Sequence, residues 1–395
     1  MGIADGDKNG GSVLNLEIQK LMNHLNRPAV KSIKSPDGDI IDCVHILNQP
    51  AFQNSKLRDH KIQMKPSFHP EGMMFEENEA SSSRQKPISQ LWHQSGSCPE
   101  GTIPIRRIRE EDILRAESIQ RFGKKNHKSI PEFTSFKTEA QHQFATVYVT
   151  GDKYYGGKAS MNIWKPIVEK HNEFSNSQLG IQNGNTSKGY DSIQAGWQMN
   201  PQPYGDNNTR LFTFWTADSG QSTGCFDMLC SGFVQLNNGV AVGASIQPLS
   251  VYGDLKSQFD MTILIWKDPI NGDWWMQYGR DTVVGYWPSS LFGRLSDGAT
   301  TILWGGEVLN LASEDGKHST TQMGSGHFAG EAQGRASYFR NITIVNGKNQ
   351  SVPPPNGVAT YSDHVKCCNV KMASSNDELG AYFYFGGPGR NLACL

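Results

Sequence analysis

The stretch TTILWGGEVLNL, Thr300 to Leu311, decides how the rest of the chain is read. Side chains along a strand alternate between two faces. On that parity Ile302, Trp304, Gly306 and Val308 share one face, and Thr301, Leu303, Gly305, Glu307 and Leu309 share the other. The first set reads as core. The second places a carboxylate in an apolar run, which costs free energy unless the carboxylate is paired or used. Gly305 beside it marks a point where a ligand or another backbone comes close. SIQAGWQMNP, Ser192 to Pro201, has the same design. Ile193, Ala195, Trp197 and Met199 form its apolar face, and Gln194, Gly196 and Gln198 its polar one. Two such strands predict a cleft across a sheet with Glu307 and Gln194 in it; the plain alternative is two solvated faces.

The surrounding sequence agrees with a sheet protein. From Gln141 onward, runs such as FATVYVT, KASMNIW, RLFTFWT, GFVQL, VAVGASI, MTILIW, WWMQYG, TVVGYW and AYFYFGG follow one another, separated by turn clusters such as DPINGD. This density, with 41 glycines and no helical pattern between the runs, predicts an all-β region: two stacked antiparallel sheets or a barrel. Before about residue 123 the pattern is mixed. Val13 to Leu25 has helical spacing, AVKSIKSPDGDIIDCVHI reads as a hairpin turning at Pro36-Asp37-Gly38, residues 76 to 90 read as a loop, and Glu110 to Phe122 as a short helix. GKKNHK, Gly123 to Lys128, is basic and polar and reads as an exposed protease target.

At 395 residues the chain is longer than one ordinary domain. A net charge of −1 gives no reason to expect nucleic acid or a membrane surface as partner. No run of apolar residues is long enough to span a bilayer. The seven cysteines include no CxxC pair and the histidines no finger spacing, so a zinc site is not expected. Sequons at Asn185, Asn207, Asn341 and Asn349 suit a secreted glycoprotein, although MGIADGDKNGG has no signal-peptide character.

Other motifs carry less. GQSTG, Gly220 to Gly224, matches a serine-nucleophile pattern, but no helix follows Ser222; Cys225 and Cys230 after it read as a disulfide-closed loop. GSGHFAGE, around His327, lacks both the third glycine and the βαβ setting of a dinucleotide site. Trp274, Trp275 and Tyr278 are candidates to line a groove, with core packing as the alternative; adjacent strand residues oppose each other, so one tryptophan faces inward.

SIQAGWQMNPQPYGDNNTRLFTFWT, TGCFDMLCSGFVQ, ILIWKDPINGDWWMQYG, VGYWPSSLF, WGGEV, STTQMGSGHFAGE, ASYFRNI and YFYFGGPGRN together resemble the plant neprosin family, in order, within a match that runs from about Leu25 to the C-terminus. The segment from LNRPAVKSIKSPDGDIIDCVHILNQPAF to QLWHQSGSCPEGTIPIRR resembles its activation peptide. The resemblance implies an antiparallel β-sandwich with a cleft on its concave sheet, over residues 129–395, preceded by a small α+β propeptide region over 1–128. It implies a secreted zymogen of a glutamic endopeptidase that cleaves after proline at acid pH and uses two glutamates, with neither metal nor cofactor. One is the glutamate of WGGEV, here Glu307. The other lies in IEAGW, which reads IQAGW here, so that Gln194 stands in its place. Fungal glutamic peptidases are similar in using a Gln and a Glu. Two readings follow: a peptidase working through Glu307 and Gln194, or an inactive relative that binds proline-rich peptides or cell-wall polymers through the same groove. In either, the expected partners are a proline-containing peptide and the chain's own propeptide, and the expected binding residues include Trp197, Trp215, Trp274, Trp275 and Tyr278. The family pattern implies Cys43–Cys98 and Cys367–Cys394 pairs and leaves Cys368 unpaired.

Overall fold

The computed structural model describes residues 7–70, 88–125, 142–185, 187–311, 317–355, 358–373 and 380–394. Two antiparallel sheets stack face to face. The front sheet has seven strands in the order Cys225–Phe226, Arg210–Thr216, Gly189–Met199, Phe174–Asn185, Ala299–Leu309, His142–Tyr154 and Ala359–Ser362. The back sheet runs Val234–Gln235, Thr282–Trp287, Trp274–Tyr278, Asp260–Lys267, Gly156–Asn162, Ser337–Val345, Phe383–Gly386 and Asn369–Met372, with Ser351–Val352 paired to Ser337–Val345. The chain passes between sheets within two residues, from Tyr154 to Gly156. Of the two arrangements that strand density left open, stacked sheets or a barrel, the structure has the stacked sheets, as the family resemblance implied.

The layer between the sheets holds Ile193, Ala195, Trp197, Leu211, Trp215, Trp274, Met276, Trp287, Ile302, Trp304 and Val308. These residues alternate along their strands with the outward set, as period-two packing demands. Trp197, Trp274, Trp287 and Trp304 are fully buried. Truncating one of them would cost about 3–5 kcal/mol, through lost transfer energy and a cavity.

The N-terminal region forms the helix Asp7–Leu25, a three-stranded sheet of Ala29–Lys34, Ile40–His45 and Thr102–Arg106, and a short helix Glu110–Leu114. The predicted helix to Phe122 stops early. Ser118 takes an extended conformation, and a separate turn at Ile119–Arg121 brings Phe122 down onto the sandwich, where it is buried. Ile18, Leu25, Ile108, Ile113 and Phe122 pack on Phe212, Phe214 and Phe226 of the front sheet. A second arm crosses the outer face of the back sheet: the Trp266 indole donates to the Phe68 carbonyl at 2.9 Å, and His60 meets the Tyr286 hydroxyl at 2.8 Å. The predicted strand VAVGASI is mostly turn, because Gly243 at φ +84° breaks it; among the described residues, the strand Ile246–Gln247 pairs with Ser89–Gln90 in a two-stranded sheet. Most of the predicted 76–90 loop lies outside the described residues.

Candidate active site

Register places the site. Glu307 stands opposite Asn176 on one side and Phe144 on the other, while Gln194 pairs with Gly180 and Phe214. Paired residues of antiparallel strands share a face. His142, Phe174, Asn176, Gln178, Gln194, Phe212, Phe214 and Glu307 therefore all lie on the outer face of the front sheet. The glycines beside the two polar residues are set by backbone approach. A Cβ on Gly305, at φ +149°, would meet the Ala145 carbonyl oxygen at 2.3 Å, and one on Gly196 the Ser177 carbonyl oxygen at 2.0 Å.

Glu307 is fully buried and, among the described residues, accepts four hydrogen bonds. Its Oε2 takes one from Lys125 Nζ at 2.6 Å, one from Gln178 Nε2 at 3.0 Å and one from Asn176 Nδ2 at 3.1 Å. Its Oε1 faces His142 Nδ1 at 2.6 Å. Lys125 Nζ also donates to Gln194 Oε1 at 3.0 Å. The ammonium thus bridges the two residues that strand parity singles out, and it lies 5.3 Å from the Phe214 ring centre and 5.8 Å from that of Phe174. Burial pushes the Glu307 carboxyl up, but the Lys125 charge and the His142 hydrogen bond pull it down further, to about 2. Burial lowers the Lys125 ammonium, with Glu307 offsetting part of the effect. Burial likewise lowers His142, with the Glu307 hydrogen bond and charge acting against it; an ionised carboxylate only accepts, so the donor in this contact is His142 Nδ1–H.

Lys125 corrects the sequence reading. Gly123 to Lys128 was expected to be an exposed basic loop, but Lys125 is only 4% exposed and its charge is spent inside the site. Local polarity could not reveal a partner 182 residues away. Asn126, His127 and Lys128 lie outside the described residues.

The aromatic candidates for substrate contact are also corrected. Trp197, Trp215 and Trp274 point between the sheets, and Trp197 and Trp274 donate to the carbonyls of Asn162 and Leu295. Tyr278 packs half-buried against the same core. Trp275 does face outward, but from the back sheet, where Trp266, Tyr286 and the N-terminal arm cover it. The aromatics on the face of Glu307 and Gln194 include Phe144, Phe174, Phe212 and Phe214. Parity in RLFTFWT gives the two phenylalanines of that strand at once, since Phe212 and Phe214 alternate with the inward Leu211 and Trp215. His142, Asn176 and Gln178 follow by register only after Glu307 is placed.

Disulfides join Cys43–Cys98, Cys225–Cys230 and Cys367–Cys394, and Cys368 is a buried free thiol. Ser222 lies on a surface turn, its hydroxyl on Asp218 at 2.5 Å. His327 lies far along the chain in a partly exposed contact with Glu331, under the Tyr252 ring. Asn185 and Asn207 are exposed, and Asn341 and Asn349 partly so.

The chain matches the family described as Neprosin over residues 171–388 and the one described as Neprosin activation peptide over residues 32–148. The second match runs on into the first long strand of the front sheet, His142–Tyr154. Among solved structures it is similar to a Scytalido-glutamic peptidase bound to a peptide-based transition-state analog, at 11% identity and a TM-score of 0.33, covering 62% of this chain and 97% of that one. It is also similar to SCP-B, a member of the Eqolisin family of peptidases in complex with the tripeptide Ala-Ile-His, at 10% identity and a TM-score of 0.31, covering 62% and 96%. With the Neprosin match spanning more than half of its length and an activation peptide preceding it, the chain belongs to the neprosin family and has the two-part organisation of a peptidase zymogen.

Proposed function

We propose that the protein is a latent glutamic peptidase whose reaction is run by Glu307 and Gln194. One observation carries this reading: a single ammonium from the N-terminal region sits 2.6 Å from the Glu307 carboxylate and 3.0 Å from the Gln194 amide. Once Lys125 leaves, that point suits a water or a substrate carbonyl oxygen. Glu307 takes a proton from the water, and the resulting hydroxide attacks the peptide carbonyl carbon. The Gln194 amide turns its NH2 toward the oxyanion and donates to it; an amide can do this without exchanging a proton. Glu307 then returns the proton to the departing amine as the C–N bond breaks. Family membership supports acid-pH cleavage after proline, self-removal of residues 1–128 as a propeptide, and secretion. The phenylalanines now covered by Ile18, Leu25 and Phe122 would give an apolar floor to a bound peptide.

The substitution at Gln194 favours one other reading, a binder that keeps the groove and has lost turnover. Cleavage of a quenched proline-containing peptide by acid-treated protein, from pH 2 to 7, separates the two. Turnover that Glu307→Gln lowers about a thousandfold or more supports the peptidase. A silent protein that gains turnover only as Gln194→Glu is the binder. Turnover indifferent to both substitutions rejects the site.

A further inference from the structure

We infer that His142 is a positioning residue for Glu307: its Nδ1–H holds Oε1 so that Oε2 faces the cleft. The inference rests on reading Glu307 as the base. The carboxylate's four donors are divided unequally. Oε2 has Lys125, Asn176 and Gln178, whereas His142 is the donor on Oε1. Oε2 is therefore the oxygen on the side that the N-terminal region occupies, and it loses a donor when Lys125 leaves. The contact on Oε1 is made between two strands of the front sheet and does not involve Lys125.

His142 is built into the sheet. It opposes Leu309 in the pairing, one same-face step along from the Phe144–Glu307 pair, and diagonal neighbours of this kind are within reach of long side chains. Its ring meets the Phe174 ring edge-on, centres 5.4 Å apart and planes at 70°, which fixes the direction of Nδ1. An ionised carboxylate only accepts, so a neutral ring must carry its proton on Nδ1. Nε2 is then a bare acceptor, buried and without a partner among the described residues. Leaving it so is a cost that a leucine at this position would avoid, and a directed bond to Glu307 accounts for it. The other titratable groups acting on this pair are Lys125 from the N-terminal region and, at longer range on Glu307, Asp363 and Tyr190.

Two variants test the role. His142→Asn places an amide N–H where Nδ1–H is now and cannot titrate in the working range. His142→Leu fills the space without a donor. In acid-treated protein, His142→Leu should lower kcat about 10- to 100-fold, as loss of an orienting partner does, with KM changed about threefold or less. Losing a donor to the ionised form also raises the carboxyl, so the acid limb of kcat/KM should move to higher pH. His142→Asn should restore kcat to within about fivefold and keep the limb in place. Equal losses in both variants with an unmoved limb, or full activity in His142→Leu, would overturn the role.

A second arm needs no turnover. In the full chain labelled with ¹⁵N-histidine, the ring signal that vanishes in His142→Asn should report a protonated Nδ1. A bare Nδ1 with the proton on Nε2 overturns the inference. If no variant cleaves peptide, the peptidase reading fails, and the tautomer still decides whether His142 holds the carboxylate.

Discussion

Among the described residues, two buried ion pairs tie the N-terminal region to the sandwich at carboxylates, and they are made by different cations. One is the single ammonium of Lys125 on Glu307 and Gln194. The other is a network of guanidiniums beyond the far edge of the site. Arg210 of the front sheet reaches Asp39 of the N-terminal hairpin at 2.5 Å and Asp206 at 2.5 Å; Arg106 binds the other Asp39 oxygen at 2.9 Å and Asp112 at 3.0 Å. Burial acts against all of these charges. For Arg210 and Arg106 the neighbouring aspartates more than offset it and the guanidiniums are held above their ordinary value, whereas Lys125 is left below its own. A guanidinium forks between two carboxylates and keeps its charge, while a buried ammonium is a point charge that can lose its proton. The arginine network therefore suits a permanent fastening and the lysine a removable stopper, over the residues that a substrate would need.

Breaking the fastening should have the larger effect. Arg210→Met leaves Asp39 with one partner fewer in a buried position and should destabilise the full chain by about 3–5 kcal/mol. Asp39→Asn keeps the shape but leaves Arg106 and Arg210 facing each other, and should cost about 2–4 kcal/mol. Lys125→Met should cost less, about 1–3 kcal/mol, because Glu307 keeps the donors His142, Asn176 and Gln178. Urea unfolding of the three variants at pH 7 gives the ranking. Lys125→Met as the most damaging of the three would reverse the assignment of fastening and stopper.

This comparison also shows what could be read from the sequence. Alternation alone separated Glu307 from Trp304 and Gln194 from Trp197, because a strand whose inner face is all core leaves its outer face no choice of side. The same rule applied to RLFTFWT sends Trp215 inward and Phe214 outward, against the expectation of Trp215 as a binding residue. Trp275 obeyed parity and still misled, because facing outward from a sheet is not exposure when another segment lies over it. The ionic contacts were illegible. Lys125, Asp39 and Arg210 each sit in a locally polar stretch, and only the folded N-terminal region brings them to carboxylates or guanidiniums far away in sequence. His142 falls between these cases: its face follows from register, its partner only from the diagonal position of Glu307.

Acid separates the two contacts most finely. Burial raises the Asp39 carboxyl, and the two arginines lower it by more, so that it stays below its ordinary value; Glu307 is held at about 2. A carboxylate with a depressed value contributes stability that is complete above its unfolded value and is lost as pH falls through the folded one. Docking of the N-terminal region should thus be strongest above the carboxylate range and weaken downward, with the Glu307 share lost between its ordinary 4.5 and about 2. Tryptophan fluorescence is a suitable readout, since Trp92 lies in the N-terminal region and Trp266 and Trp275 lie under its arm. Followed from pH 7 to pH 2, the signal should change in this window. In Glu307→Gln the change between 4.5 and about 2 should shrink, by an amount equivalent to about 1–3 kcal/mol of docking energy, while Asp39→Asn should remove a component that begins only below 3.8. A transition unchanged in both variants would mean that neither contact senses acid, and that the N-terminal region is held mainly by Ile18, Leu25, Ile113 and Phe122 on the phenylalanines of the front sheet.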